Sequence, residues 1–510
     1  MASTYKTPGV YIVEKNAFPA SAVAVASAVP VFIGYTEKAE RNGKSLVGEP
    51  VRISSFAEYV QWFGTGFQHT FTFTPNAAST PSVVTAFTAN MLTQPDTMFY
   101  FYNCIRLFYQ NGGNDCYIMS VGVYGEGNDD KKTVISIDDF GDSVFEELKK
   151  TAEPTLVLVP DLAGQTTDDC YKIYVKILRH CKETQSRFGV FDVIKKGRGD
   201  FDLKEDLAEF RDKIGAEALN YGAAYYPWLL TSIVSESEVS FKNLTIKETD
   251  LLAMFLNPAE LKPIVEMRIK AKEKIDAEND PVKKKNLQDE SDTQLHQSLL
   301  AVSKVYKQLL AEIRFRLNLL PPASAMAGVY ALIDSTRGVW KSPANVSLSC
   351  VNSPALNISS DEQETLNIDA VTGKSINAIR PFVGLGTLVW GARTLDGNSQ
   401  DWRYINVRRT MIMIEQSLKL ACQAYVFEPN DSATWVSMKA MMNNFLTNLW
   451  KQGALAGAVP EQAFDVQIGL GATMTSTDIL DGFLRVTVKL AVVRPAEFIV
   501  LTFQQQQKRS

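Results

Sequence analysis

Short segments near both ends of the chain carry apolar side chains on both faces of a strand. Successive side chains of a strand point to opposite faces, so each segment needs burial on both sides. Chain ends usually fray unless another surface holds them. The pattern therefore predicts two terminal β arms that a partner surface must cover. These arms contain Val10, Tyr11, Ile12 and Val13 near the N-terminus, and Phe498, Ile499, Val500, Leu501 and Phe503 near the C-terminus.

The rest of the chain has an ordinary globular composition. Its 510 residues are enough for about three domains. The formal net charge of −5 gives no reason to expect nucleic acid as a partner. Six cysteines without a C-x-x-C pair indicate thiols in a reducing compartment rather than a disulfide scaffold. The apolar stretch 16–36 is interrupted by Pro19 and Pro30 and follows Glu14, so we expect neither a secretory signal nor a membrane span.

Strands and helices alternate between residues 25 and 230. A first core strand is predicted around Val29 to Tyr35, and the run TLVLVPD (155–161) is typical of a buried parallel strand. GVFDVI and AAYYPWLL follow as further strands, each preceded by a helical pattern. This alternation predicts an α/β layer with a largely parallel sheet.

Residues 247–320 have a different character. A charged stretch interrupted by Pro281 is followed by one apolar stripe at helical spacing, from Leu295 to Ile313. We predict an antiparallel helical pair that turns near Pro281 and is inserted into the α/β layer.

The last third reads as α+β. One helical stripe runs from Tyr404 to Tyr425, and a second from Trp435 to Leu449 with Asp431 or Ser432 as its N-cap and Gly453 just past its end. Two alternating strands follow, over 464–470 and 484–492, with one polar face.

No constellation of catalytic residues stands out. We interpret His69, His180 and His296 as solvated surface residues, because none lies in a metal-binding motif. Asp161 ends a predicted parallel strand, where an enzyme could place an acid, but no G-x-S-x-G elbow supplies a nucleophile. We predict no catalytic, cofactor or metal site.

Several long motifs resemble the tail sheath proteins of contractile phage tails. The resemblance is strongest to the phage-tail-like contractile injection systems of the antifeeding-prophage group. Its specific motifs cover the first 35 residues and nearly everything after 320. They are TPGVYIVEK (7–15), VPVFIGYT (29–36), PPASAMAGVYALIDSTRGVWKSPANVSL (321–348), INAIRPFVGLGTLVWGARTLDGNSQDWRYINVRRTMIMIEQSLKLACQAYVFEPNDSATW (376–435), LWKQGALAGAVPEQAFDVQIG (449–469) and RPAEFIVLTF (494–503).

The resemblance implies a structural subunit rather than an enzyme. It would polymerise as a helical sheath around an inner tube, with baseplate and cap proteins, and contract to drive the tube through a target envelope. A paralogous sheath protein is a further partner that the resemblance allows. It would assemble in the bacterial cytoplasm, without a cofactor, nucleic acid or direct membrane insertion. The domains implied are an arm (1–20), a subtilisin-like α/β domain (21–375) with the insertion, an α+β domain (376–494) and a second arm (495–510).

Two further expectations concern partners. The arms would be donated to neighbouring subunits, because an exposed sheet edge is a template for another chain's strand. The side of the first C-terminal helix with Arg403, Arg408, Arg409 and Lys419 would contact an acidic inner tube. The alternatives are an α/β hydrolase, for which Asp161 is the candidate acid, and a secreted surface or adhesion protein, for which the RGD at 198–200 is slight support.

Overall fold

Two compact units make up the chain. The computed structural model describes residues 22–75, 84, 86–95, 97–125, 131–132, 134–165, 169–194, 201–369 and 371–501. The first unit spans 27–408, and the second combines 409–501 with 22–26 among the described residues. The boundary predicted at 375/376 differs from this division, which falls within a helix at 408/409.

The strands before residue 408 belong to the first unit, and the last two belong to the second. They are β1 (Pro30–Thr36), β2 (Glu40–Arg41), β3 (Lys44–Ser45), β4 (Pro50–Ile53), β5 (Thr72–Phe73), β6 (Leu92–Thr93), β7 (Cys116–Tyr124), β8 (Lys131–Lys132), β9 (Leu156–Leu158), β10 (Phe188–Asp192), β11 (Gly222–Tyr226), β12 (Leu229–Thr231), β13 (Leu319–Leu320), β14 (Val346–Ser347), β15 (Val351–Pro354), β16 (Asn377–Phe382), β17 (Gly386–Val389), β18 (Phe464–Ile468) and β19 (Val486–Leu490).

The helices run along the whole described chain. They are α1 (Phe56–Phe63), α2 (Phe101–Gln110), α3 (Asp142–Lys149), α4 (Asp169–Thr184), α5 (Leu203–Lys213), α6 (Glu248–Phe255), α7 (Pro258–Ala277), α8 (Pro281–Val302), α9 (Lys304–Leu317), α10 (Ala323–Arg337), α11 (Ser360–Asn367), α12 (Ile405–Cys422), α13 (Ser432–Lys451), α14 (Pro460–Ala463) and α15 (Ser476–Leu480).

A large mixed sheet organises the first unit. Its strand order is β14-β17-β16-β11-β10-β9-β1-β7-β4, with β8 beside β7. The centre from β7 to β16 is parallel, whereas β4, β17 and β14 pair antiparallel at the two sides. The central strands β1, β9, β10 and β11 are buried throughout, as their continuous apolar runs predict. The predicted α/β layer is confirmed.

One predicted strand is divided in two. The run AAYYPWLL forms β11 up to Tyr226 and then β12 from Leu229. Pro227 lies between them and has no N–H to donate to a ladder. β12 therefore pairs with β13 and β15 in a separate three-stranded sheet.

A close helix contact supports one face of the large sheet. α10 packs against α2 at Gly328, where a Cβ atom would lie 2.6 Å from the carbonyl oxygen of Phe108. Only a residue without a side chain permits this approach. The segment around Gly328, SAMAGVYA, is buried accordingly.

The insertion contains the predicted antiparallel pair. α7 and α8 pack against each other, and the turn between them, residues 278–280, ends at Pro281. Arg268 on α7 joins the pair by contacting Glu248 on α6 at 2.5 Å and Asp292 on α8 at 3.0 Å. The following helix α9 is anchored more deeply, because one side of it is fully buried, including Tyr306 and Ile313.

The second unit has the predicted helices and strands. α13 begins after Asp431, whose side chain accepts a hydrogen bond from the N–H of Thr434, and Gly453 follows its end with a φ of 86°. This confirms the predicted caps. β18 and β19 form an antiparallel pair against α13.

Candidate strand-addition interface

The β18–β19 hairpin is a sheet of two strands among the residues that the structure describes. Phe464 lies opposite Leu490, Val466 opposite Val488, and Ile468 opposite Val486. Each strand pairs along one edge only within the described part of the chain. The other edge of each strand can therefore accept a further strand, because its outward backbone groups are available for a ladder. An isolated hairpin is only marginally stable, so a third strand would also strengthen it.

The two faces of this hairpin differ. Phe464, Val466 and Ile468 lie on the shielded face, where α13 packs against β18. Asp465 lies on the exposed face and approaches Lys489 of the opposite strand at 3.7 Å. In a strand added at either edge, the side chains on one face would therefore extend the apolar layer of the hairpin, and those on the other face would point to solvent.

The C-terminal segment leaves this hairpin as an exposed chain. The N–H groups of Ala456 and Val493 bond to the carbonyl oxygens of Ala491 and Ala454, which fixes the chain just beyond β19. Residues 494–501 then belong to no helix or strand. Exposure reaches 70% at Phe498, 79% at Ile499, 87% at Val500 and 73% at Leu501. Four consecutive apolar side chains in water are a costly arrangement for a free chain, and the burial that their pattern requires is not supplied within the described residues.

The other predicted arm residues lie outside the described residues. These are Val10, Tyr11, Ile12 and Val13 of the N-terminal arm, and Phe503 of the C-terminal arm. The chain is first described at residue 22, and the N–H of Val25 bonds to the side-chain oxygen of Ser417 on α12 at 3.0 Å.

The basic side predicted for α12 is largely internal. Arg408 is 4% exposed, with its guanidinium 4.4 Å from the ring centroid of Tyr221 and 4.5 Å from that of Trp402. Its Nη2 also donates to the hydroxyl of Tyr221 at 3.0 Å. Arg409 is 3% exposed. Neither arginine offers its charge to a partner in this conformation, in contrast to what the sequence predicted.

The cause is the environment of the first turns of α12. All six residues from Ile405 to Thr410 are buried, including polar ones such as Asn406. More of the surface of α12 is therefore buried than the single apolar stripe in the sequence predicts. Arg403, just before the helix, is half-buried and donates to the carbonyl of Ser399. Lys419 in the last turn is the exposed member of the predicted set.

Asp161 is an internal acceptor and not an exposed acid. It is fully buried, and its two carboxyl oxygens accept hydrogen bonds from the N–H groups of Tyr35, Tyr100 and Phe101, each at 2.9 Å. Burial raises the pKa of Asp161 to about 7, against the effect of these three hydrogen bonds. Gly34 permits the arrangement, because a Cβ there would lie 2.7 Å from an oxygen of Asp161. The geometry joins β1 to the start of α2 and leaves no room for a substrate.

The prediction that the histidines are solvated surface residues is wrong. His69 and His180 are 4% and 3% exposed, and His296 is half-buried beside the hydroxyl of Tyr306. Nε2 of His69 accepts a hydrogen bond from the N–H of Phe99, and burial lowers the pKa of His69 to about 4. Burial, together with the charge of Arg187, lowers the pKa of His180 to about 3. The sequence did not reveal the burial of these histidines, because their neighbours in sequence are polar and their burial depends on contacts with residues distant in sequence.

The described residues contain neither a candidate metal site nor a candidate membrane-spanning helix. They contain no group of three or more His, Cys, Asp or Glu side chains placed to hold a metal ion. In the same part of the chain, no helix combines the length and apolarity that crossing a bilayer requires.

Sequence reasoning missed a second exposed apolar surface in the second unit. Val426 and Phe427 lie in the loop between α12 and α13, with exposures of 60% and 102%. Leu480 and Phe483 lie in the connection between β18 and β19 and are also exposed. Asn430 ties the two loops together by donating to the carbonyl of Phe483 at 3.0 Å. No periodic pattern marks these residues, because they lie in loops.

Comparison with known proteins shows similarity to contractile tail sheaths. The family model for the phage tail sheath C-terminal domain matches residues 398–506, which include the hairpin and the C-terminal segment. The chain is similar over 99% of its length to the sheath of an extracellular contractile injection system, the PVC sheath complex in the contracted state. The identity is 27%, the TM-score is 0.61, and 99% of that sheath chain is covered. The C-terminal part of the chain thus matches a phage tail sheath domain, and the whole chain is similar to a subunit of a contractile sheath.

Two further relatives are sheath proteins as well. The helical sheath of the anti-feeding prophage in its contracted state matches with 26% identity and a TM-score of 0.60, covering 99% of this chain and 100% of that one. The tail sheath protein of Vibrio phage KVP40 is 25% identical over 201 residues. That alignment covers 39% of this chain but only 28% of the phage protein.

Proposed function

We propose that this chain is the structural subunit of a contractile sheath. Many copies polymerise into a helical sheath around an inner tube. The sheath then shortens and drives the inner tube through a target envelope. The energy for this step is stored in the extended lattice, so that no nucleotide or cofactor is consumed.

One observation carries the proposal. A chain that is similar along its full length to sheath subunits combines a two-stranded hairpin with an exposed apolar terminal segment. A polymer subunit needs both parts, since one supplies a strand and the other accepts it. A soluble monomer gains nothing from either, because both expose groups that are more stable when covered.

Strand exchange would connect the copies. The N-terminal arm with Val10, Tyr11, Ile12 and Val13 and the C-terminal arm with Phe498 to Phe503 would each add to the β18–β19 hairpin of a neighbour. The segments between the arms and the units would let subunits swing during contraction while the ladders stay intact. The arms that the family resemblance implies, at 1–20 and 495–510, would supply the added strands, and the two units between them would form the body of the subunit.

The remaining partners follow from the same proposal. The α/β layer would have the subtilisin-like shape of the family without enzymatic activity, and the insertion would face the outside of the polymer. An inner tube protein and baseplate and cap proteins would complete the particle, with a paralogous sheath protein as an optional further partner. Assembly in the bacterial cytoplasm would precede its use as an injection particle, either released or anchored at a membrane.

An α/β hydrolase is the weaker alternative, because the candidate acid Asp161 is engaged by three backbone N–H groups and has no access to solvent. An adhesion protein has even less support, since a tripeptide such as the RGD at 198–200 is too short to indicate a function by itself; these residues lie outside the described part of the chain.

Electron microscopy of the purified full-length chain tests the proposal. Negative staining should reveal hollow tubes of regular diameter above a critical protein concentration. A protein that stays monomeric at all concentrations, with and without a co-expressed inner tube protein, would contradict it.

A further inference from the structure

The loop between α12 and α13 carries an unusual residue. Phe427 has a φ of 71°, in the left-handed region that side chains other than glycine rarely adopt. Its ring is also completely exposed. A strained backbone and an aromatic ring in water both destabilise the isolated chain. Such outliers persist where a function requires them, which points to a partner for this ring.

The loop holds Phe427 in a defined place. The N–H of Val426 bonds to the carbonyl of Gln423, and that of Glu428 bonds to the carbonyl of Tyr425. Asn430 accepts a hydrogen bond from Nε1 of Trp435 at 2.7 Å and donates to the carbonyl of Phe483. The loop of Phe427 is therefore tied to the loop of Phe483 through Asn430, three residues after Phe427. We call Val426, Phe427, Leu480 and Phe483 the loop patch.

The loop patch lies at the end of the hairpin that the added strand would reach. The connection from β18 to β19 contains Leu480 and Phe483, and β19 begins three residues after Phe483. A strand added antiparallel to β19 runs in the direction of β18, toward this connection. If that strand is the segment 498–501 of a neighbour, its continuation passes over the loop patch.

The continuation has the length and the chemistry for this site. Residues 502–510 have the sequence TFQQQQKRS and can span at most about 30 Å when extended. Phe503 supplies an aromatic ring for an apolar surface, and Lys508 and Arg509 supply positive charge. Exposed carboxylates of Glu428 and Asp481 border the loop patch. The guanidinium of Arg485 lies 5.2 Å from the ring centroid of Phe483, and its charge is paired with Asp478 at 3.1 Å. The charges of tail and patch are therefore complementary.

We propose that residues 502–510 of a neighbouring copy dock on the loop patch, with the ring of Phe503 beside Phe427 and the basic end beside Glu428 and Asp481. This inference rests on the proposed strand exchange and extends it: the ladder holds the arm, and the loop patch fixes its end. An aromatic anchor in such a place typically dominates the affinity of an interface.

The substitution Phe427→Gly separates folding from docking. Glycine accepts the left-handed backbone without strain, so the melting temperature should stay the same or rise. The critical concentration for tube assembly should nevertheless rise about tenfold, as expected for the loss of one anchor side chain. Val371→Gly is the matched control, because Val371 is 91% exposed in a loop of the first unit and should leave assembly unchanged.

Truncation after Leu501 identifies the occupant. The truncated chain should show at least the rise in critical concentration seen with Phe427→Gly, because it also removes the basic end. Adding Phe427→Gly to the truncated chain should cause no further rise, because its partner Phe503 is already absent. A further tenfold rise in the combined variant would overturn the proposal and assign Phe427 to another partner. An unchanged critical concentration in the Phe427→Gly variant would also overturn it.

A peptide assay distinguishes this inference from the proposed function. A fluorescent peptide of residues 498–510 should bind the full chain, and binding should weaken about tenfold in the Phe427→Gly variant. If the chain forms no tubes but binds the peptide in this Phe427-dependent way, the sheath function fails and the docking site stands. If tubes form and the peptide binds both proteins equally, the docking site fails and the sheath function stands.

Discussion

Val466 lies opposite Val488 at the centre of the β18–β19 ladder, and its side chain is 2% exposed. The middle of the hairpin is thus well packed on its shielded face, whereas its outer edges have no partner in the described part of the chain. Within the described residues this sheet therefore has two strands and two unpaired edges. An added strand from another copy would extend an apolar layer that already exists.

The first prediction concerns the C-terminal arm. Val500→Asp should leave the fold and melting temperature unchanged, because Val500 is almost fully exposed. In a sheath it would place an unpaired charge in the apolar contact of the arm with the neighbouring copy, which should abolish or strongly reduce tube formation. Val282→Asp, on the exposed surface of α8, is the matched control and should assemble normally. Normal tubes of the Val500→Asp protein, counted by negative-stain microscopy, would mean that the arm is dispensable.

The second prediction concerns the tip of the insertion. Residues 270–287 are largely exposed, whereas α9 is anchored by a buried side and by Arg316, which donates to the carbonyl oxygens of Leu92 and Ala89. Replacing 270–287 with a short Gly-Ser turn should therefore preserve both folding and assembly. Removing the whole of 250–318 should instead lower the melting temperature, because it uncovers the surface beneath α9. Circular dichroism and microscopy check both outcomes; loss of tubes in the shorter deletion would make the tip a lattice contact.

The third prediction concerns the inner tube. Lys419 is the exposed member of the basic set on α12, so Lys419→Glu should weaken association with an acidic tube protein, most clearly at low salt. Arg408→Glu should act differently, since it places a carboxylate against the rings of Tyr221 and Trp402 and should destabilise the fold itself. Co-sedimentation at two salt concentrations and thermal melts separate these effects. Equal tube binding of the Lys419→Glu and unmodified proteins would exclude this lysine from the contact.

The fourth prediction is a pH dependence at His69. Its pKa is lowered from 6.5 to about 4 in the folded protein, so only the unfolded chain gains a proton between these values. The stability that this neutral histidine contributes is present above pH 6.5 and is lost as the pH falls toward 4, by roughly 3 kcal/mol in total. His69→Gln keeps an acceptor for the N–H of Phe99 but does not titrate. Urea unfolding should show that the variant loses less stability on acidification; parallel curves would contradict the account.

The fifth prediction has the opposite sign. The pKa of Asp161 is raised to about 7, so the folded chain holds a proton that the unfolded chain releases near pH 4. Stability from this group is greatest at low pH and is lost as the pH rises from 4 to 7. Asp161→Asn should lower the free energy of unfolding by about 1 to 3 kcal/mol, because the amide NH₂ group would face one of the three backbone N–H donors. The deficit relative to the unmodified protein should be larger at pH 5 than at pH 8; a deficit that grows with pH would contradict the assignment.

Local patterns predicted much of the fold. The buried strands β1, β9 and β10 are continuous apolar runs, and the caps of α13 at Asp431 and Gly453 follow from residue type alone. The hairpin follows from the alternation in 464–470 and 484–492. These features depend on neighbours in sequence, which is why they are visible without a structure.

The errors concern burial that depends on distant residues. Arg408 looked like a surface residue because it lies off the apolar stripe of α12, yet Tyr221 and Trp402 enclose it. His69 has polar neighbours in sequence but is covered by residues such as Phe67 and Phe99. Phe427 carries no sequence signal, since only the backbone angle reveals its strain.

A cryo-electron microscopy map of assembled tubes tests strand exchange most directly. The account predicts that density for residues 498–501 lies as a strand along an outer edge of β18–β19 and traces back to a different subunit. A map in which the hairpin keeps two strands, or in which its added strand belongs to the same chain, would contradict the account.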